Sequence, residues 1–191
     1  MKKFLLTLSM TALLLFTAGC SCPFSDKTAD SKPQMNTAAA SAAEVAPDFS
    51  YKELGSGKTM RLSDLKGKPV FINFWATWCP PCVGELPHIE KKYAEYKDKM
   101  HFVILSVDDN EQDPARFIQS KGYTFPAAYG DHQELGRAYG IDAIPASYII
   151  SADGHIIARI VGSMNESSLD ASCRRPSKSI LKAKSSPATF L

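Results

Sequence analysis

Hydrophobic and polar positions change rhythm several times along the chain. Residues 4–16 are apolar except at Thr7, Ser9 and Thr11, and they follow Lys2 and Lys3. Over residues 21–46, Ser, Ala and Thr dominate and bulky apolar side chains do not recur, a texture that cannot build a core. From Ala46 the pattern tightens. Phe49, Tyr51 and Leu54 alternate loosely before Gly55-Ser56-Gly57, which predicts a strand and a turn, and Ser63 reads as the N-cap of a short helical turn ending at Gly67. Val70-Phe71-Ile72-Asn73-Phe74-Trp75-Ala76 is the nearly continuous apolar run of a strand buried on both faces. Leu86, Ile89, Tyr93 and Tyr96 then recur at helical spacing among charged residues. Residues 101–107 form a second buried strand, Phe117 and Ile118 mark a helix, and Leu135 and Tyr139 mark a further helical turn. Two last strands, 146–150 and 156–161, flank the hairpin signal Ala152-Asp153-Gly154. The order β, α, β, α and antiparallel hairpin predicts an α/β fold in three layers, with a central mixed sheet flanked by helices.

The ends of the chain have other roles. The basic start, short apolar run and small residues Thr17, Ala18 and Gly19 have the layout of a secretory signal over 1–19, too short for a comfortable membrane span. Thr17-Ala18-Gly19-Cys20 resembles the lipobox of bacterial lipoproteins, with Thr where Leu is usual, so Cys20 is expected to carry the lipid. Residues 20–46 then read as a flexible tether, 47–172 as the folded domain, and 173–191 as a basic, disordered tail. Asn165, Ser168, Leu169 and Ala171 begin a final helix that Cys173-Arg174-Arg175-Pro176 is expected to interrupt, and residues 173–191 carry basic side chains but no acid.

Composition narrows the class. With 191 residues, 45% hydrophobic and 22% charged, collagen-like, coiled-coil and wholly disordered chains are excluded. A formal charge of +2, from 22 basic and 20 acidic residues, gives no sign of a nucleic-acid surface. Export places the remaining cysteines where disulfides persist. Gly57-Lys58-Thr59 is no phosphate loop, because Lys52 stands where that motif needs Gly.

The chemistry lies in Cys79 and Cys82. Two residues between cysteines at the start of a helix put one sulfur at the helix N-terminus, where unpaired amides and the dipole favour a thiolate; in such motifs the thiol pKa falls to roughly 3.5–7.5. Pro80 suits the first helical position and stiffens the turn. The pair is then a redox-active dithiol, and no cofactor is expected beyond the Cys79–Cys82 disulfide itself. A structural zinc site lacks ligands at the right spacing, since Cys173, His88, His101, His132 and His155 are scattered, and covalent haem would need His where Val83 stands. Two other functions compete: a copper-binding module using both thiolates and a histidine such as His88, and a thiol peroxidase. The peroxidase motif T-x-x-C fails here, because Thr77 is two residues before Cys79.

Phe74-Trp75-Ala76-Thr77-Trp78-Cys79-Pro80-Pro81-Cys82, with Ala46-Pro47-Asp48-Phe49 upstream and Gly140-Ile141-Asp142-Ala143-Ile144-Pro145 downstream, resembles the TlpA/ResA family of membrane-tethered thioredoxin-like proteins over about residues 46–170. The resemblance implies a thioredoxin fold with Pro145 in the cis form beside the cysteines. It implies that Cys79 is the exposed nucleophile, Cys82 the buried resolving thiol, Ile144 a backbone partner for the substrate chain and Trp78 a wall of the groove. It also implies extracytoplasmic reduction of disulfides in exported proteins, as in cytochrome c maturation, with a membrane electron donor. Thioredoxins proper carry a buried acid where this chain has Asn73, which cannot take a proton from Cys82. Glu85, one helical turn beyond Cys82, matches a glutamate near the active site of these proteins and is the expected replacement, partly buried beside Trp78. Pro87 is expected to kink the helix there.

Overall fold

The computed structural model describes residues 34–36 and 44–184, with side chains over 44–176. The expected signal segment and Cys20 lie outside the described residues. In chain order the elements are β1 (Gln34–Asn36), β2 (Ser50–Glu53), β3 (Thr59–Arg61), a 3-10 turn (Leu62–Leu65), β4 (Val70–Trp75), α1 (Pro80–Tyr96), β5 (His101–Ser106), α2 (Gln112–Lys121), β6 (Ala127–Tyr129), α3 (His132–Tyr139), β7 (Ala146–Ile150), β8 (Ile156–Val161) and α4 (Glu166–Lys184).

They build one mixed sheet in the order β1-β8-β7-β4-β5-β6-β2-β3. β4 is central and buried along its whole length. It runs parallel to β5, with Val70 opposite His101 and Trp75 opposite Ser106, and antiparallel to β7, with Asn73 opposite Ser147. The hairpins expected around Gly55-Ser56-Gly57 and Ala152-Asp153-Gly154 join β2 to β3 and β7 to β8.

Alternation along β4 sorts the core into two layers. Phe71 and Trp75 pack with Leu86, Ile89, Ile104, Ile149 and Leu169 beneath α1, α2 and α4. Ile72 and Phe74 point the other way, to Phe49, Leu105, Leu135, Tyr139 and Tyr148 beneath α3. Asn73 shares the parity of Phe71 and Trp75, so its amide enters the α1 layer.

Several sequence expectations need correction. Ser63 lies inside the 3-10 turn, whose N-cap is Arg61, while the Ser63 amide donates to Asp48 at 3.0 Å. Part of the expected tether is ordered: β1 pairs with β8, Gln34 opposite Val161, and the Ala46 amide donates to the Gly154 carbonyl at 2.9 Å.

The expected break at Cys173–Pro176 is absent, and α4 runs through it to Lys184. Four-residue spacing explains the continuation. Cys173 enters the core one turn after Leu169, at 3% and 1% exposure. Arg174 pairs with Asp170, four residues earlier, at 2.7 Å. Asp170 also accepts from the Tyr96 hydroxyl at 2.9 Å and the Lys92 ammonium at 3.2 Å, which ties α4 to α1. Pro176 forfeits only the bond to the Ser172 carbonyl.

Candidate active site

The chain leaves β4 at Trp75, and Ala76-Thr77-Trp78 carries it to Cys79, the N-cap of α1. Asp108 fixes that crossing. Its buried carboxylate accepts the Thr77 hydroxyl at 2.6 Å, the Thr77 amide at 3.1 Å and the Ser106 hydroxyl at 2.7 Å. The Val107 amide donates to the Trp75 carbonyl at 2.9 Å, so the crossing is clamped to the end of β5.

Cys79 and Cys82 are joined as a disulfide. Cys79 keeps 5% of its surface and Cys82 none, so the residue expected to be exposed is the more accessible of two largely covered ones. The amides around them are few. A helix start offers its first N–H groups to a ligand or cap, but here Pro80 and Pro81 have none. The Cys79 amide donates to the Ala76 carbonyl at 3.2 Å, and the Cys82 amide points at the Cys79 sulfur at 3.3 Å. One backbone donor therefore serves that sulfur.

Across from the pair, the Ile144-Pro145 bond is cis. The Ile144 carbonyl oxygen lies 3.8 Å from the Cys79 sulfur. Trp78, 65% exposed, and Ile144 line the same cleft. The structure thus gathers Trp78, Cys79, Cys82, Ile144 and Pro145 at one end of the sheet.

Glu85 lies on the inner side of α1, only 2% exposed, deeper than expected. Its partners are Asn73 and Met164. The Asn73 side-chain amide donates to one carboxyl oxygen at 2.5 Å, and the Met164 backbone amide to the other at 2.6 Å. Burial raises the Glu85 pKa to about 7, against the opposing pull of the two hydrogen bonds. The Asn73 nitrogen also reaches the Ser147 hydroxyl at 3.0 Å, which leaves its oxygen buried without a partner. Turning that amide over would present the oxygen to a protonated Glu85 and to the Ser147 hydroxyl. Asn73 suits both charge states of its neighbour.

Sequence reasoning missed Asn73 as a partner of Glu85, and it missed Asp108 and Met164. Asp108 carries a legible signal, an acid straight after a buried strand. His88 is not brought into a metal site; among the described residues no three His, Cys, Asp or Glu side chains cluster as ligands.

A helix-capping disulfide at the end of a central parallel strand, facing a cis-proline loop, defines the class of thioredoxin-fold thiol-disulfide oxidoreductases. The redoxin family model matches residues 40–172, and the chain belongs to that family as one of its TlpA/ResA-like thioredoxin-fold members. It is 36% identical over 126 residues to the thiol-disulfide oxidoreductase ResA of Bacillus thuringiensis, covering 65% of this chain and 72% of that protein. ResA of Halalkalibacterium halodurans is 34% identical over 166 residues, covering 86% and 90% respectively. A crystal structure of a thiol:disulfide interchange protein from Chlorobium tepidum superposes with a TM-score of 0.64 at 29% identity, covering 72% of this chain and 99% of that one. The chain is a thiol-disulfide oxidoreductase.

The buried carboxyl makes stability depend on pH. Below about pH 4.5 Glu85 is neutral in both folded and unfolded chains, so the stabilising effect of its protonation is fully present. As pH rises from about 4.5 to about 7 the unfolded chain ionises the group while the folded protein keeps its proton, and that contribution, about 3 kcal/mol, is fully lost once pH passes the folded value of about 7. Urea unfolding of the oxidised protein should show the loss, and Glu85→Gln should remove that part of the slope and gain relative stability above neutrality. Parallel pH profiles for the two proteins would show that Glu85 does not titrate in this way.

Proposed function

We propose that this oxidoreductase works outside the cytoplasm, anchored by lipid on Cys20, and reduces disulfides of exported proteins through the Cys79/Cys82 dithiol. The observation that supports it most is the Cys79 sulfur set beside the Ile144 carbonyl, with Cys82 fully covered behind it. In the reduced protein the Cys79 thiolate attacks one sulfur of a substrate disulfide. A mixed disulfide forms and the other substrate sulfur leaves as a thiolate. Cys82, losing its proton, then attacks the Cys79 sulfur. The Cys79–Cys82 disulfide re-forms and the substrate departs with both electrons. A membrane dithiol donor restores the pair, and maturation of cytochrome c, whose haem-binding cysteines must be reduced, is one setting for such a reaction.

Roles follow from position. Ile144 offers backbone to an extended substrate segment, Pro145 presents it, and Trp78 covers one side. Glu85, with a pKa pushed up to about 7, takes the proton that Cys82 gives up, a task Asn73 cannot perform.

The sparse donors around Cys79 favour the reducing direction. A strong oxidant is one whose reduced form is stabilised, and two prolines withhold the amides that would stabilise it here. Asp108, and Asp109 and Asp142 on the exposed rim, add carboxylates to the same end of the sheet.

Four measurements test the proposal. Cys82→Ser should trap a mixed disulfide with substrate whereas Cys79→Ser should not, and the wild-type pair should have a reduction potential of about −270 mV, near thioredoxin's. Equal trapping by both variants would overturn the assignment of the nucleophile, and a potential of about −120 mV the direction. Glu85→Gln should slow resolution of the mixed disulfide by about a hundredfold and remove the pH dependence near neutrality, measured by stopped flow with fold checked by circular dichroism. An unchanged rate and profile would remove Glu85 from the proton path. Cys20→Ala should move the protein from the membrane to the soluble extracytoplasmic fraction with its exchange activity intact, and retention on the membrane would contradict a lipid anchor.

A further inference from the structure

A cleft of about 390 Å3 opens beside the disulfide, between the Trp78 crossing and the loop before Pro145. Four separate stretches line it: Trp78; Val107 and Asp109 after β5; His132 and Gly136 of α3; and Ile141, Asp142, Ala143 and Ile144. Its wall is aromatic and aliphatic, while Asp109 and Asp142 stand exposed on the rim. Ile144 belongs both to the cleft and to the contact with the Cys79 sulfur at 3.8 Å, so whatever occupies the cleft is a neighbour of the reacting cysteine.

We infer that this cleft selects substrates with an arginine or lysine next to the attacked cysteine. The inference rests on the reductase reading above and adds a substrate class to it. Long cationic side chains fit the two-part lining: an aliphatic stem lies on apolar surface while the charged end stays at the wet rim. Trp78 offers a ring face on which a guanidinium stacks. Asp109 and Asp142 supply opposite charge at the height of the rim. The acidic character extends past the cleft. Asp108, Asp109, Glu111 and Asp131 all face Tyr129 and help to raise its pKa, behind burial as the main cause. Of these, Glu111 is neutralised by Lys52 at 2.8 Å. Asp131 is held by the Gln133 and Glu134 amides at the start of α3, and Asp108 by Thr77 and Ser106, so those two are committed to structure. Asp109 and Asp142 are the rim carboxylates that a docked side chain reaches. Both line the same cleft as Trp78 though they lie far from it in sequence, and neither belongs to the Cys-Pro-Pro-Cys turn or the cis-proline bond.

The test uses full-length reduced protein and synthetic peptides, each with one cysteine in a mixed disulfide with a chromogenic thiol and with Arg, Lys, Leu or Glu beside that cysteine. Released thiol gives the second-order rate constant for reduction. Wild type should reduce the Arg and Lys peptides about ten-fold faster than the Glu peptide, with Leu between them, and raised salt should compress the spread. In the double variant D109N/D142N the Arg-to-Glu ratio should fall to about one. Taking a ratio within each protein cancels any effect on thiol reactivity itself. Equal rates for Arg and Glu peptides in wild type, or a ratio that survives in the double variant, would overturn the inference. Reduction of hydroxyethyl disulfide by wild type separates the two levels: if that neutral disulfide is reduced and the ratio is flat, only the charge selection falls, and if it is not reduced, the reductase reading falls and takes the selection with it.

Discussion

Burial of β4 on both faces is the constraint on which the rest of the molecule depends. A strand that exposes neither face must be covered twice, and the period of two along Val70–Trp75 decides what goes where. Phe71 and Trp75 call for the α1, α2 and α4 layer, and Ile72 and Phe74 for the α3 layer. The strand ends where the first layer begins, so the disulfide caps a helix whose direction the core has already set. Asp108 secures the handover with bonds to both the backbone and the side chain of Thr77.

Asn73 is the polar exception in that strand, and it explains the carboxyl opposite. A buried carboxylate with no donors is too costly to keep charged. Glu85 has two donors, Asn73 from the strand and Met164 from the segment before α4, yet burial still outweighs them and its pKa rises. A carboxyl poised near neutrality is the result. The Met164 amide also binds the start of α4 to the centre of α1, which gives α4 a function-linked reason to dock besides its apolar face.

The legible parts of the fold were those with long, regular patterns. The unbroken run of β4, the three- and four-residue spacing of α1 and the Ala152-Asp153-Gly154 turn each point to one local structure. β6 was invisible because Ala127–Tyr129 is three residues long and gains its identity by pairing between β5 and β2. The course of α4 was misread because Arg174, Arg175 and Pro176 look like the end of a helix, while the Cys173 contacts and the Asp170 network that override them come from α1. In the site, local spacing singled out the cysteines, and family resemblance brought in Trp78, Ile144 and Pro145. The partners of Glu85 were not legible, since Met164 lies 79 positions away and nothing local marks it. The rim acids were hidden for the same reason, each being an ordinary surface aspartate until the loops meet.

Charge at this end of the sheet bears on the attacking half of the exchange proposed above. Two prolines leave one amide to the Cys79 sulfur, and Asp109 and Asp142 stand exposed on the rim of the cleft beside it. In the selection inferred above, a docked cation meets those carboxylates. In that exchange it leaves with the substrate once Cys82 has closed the ring. The resolving half of the proposed exchange stays apart from that charge, because Glu85 lies on the covered side of α1 and draws its pKa from burial before any charged neighbour.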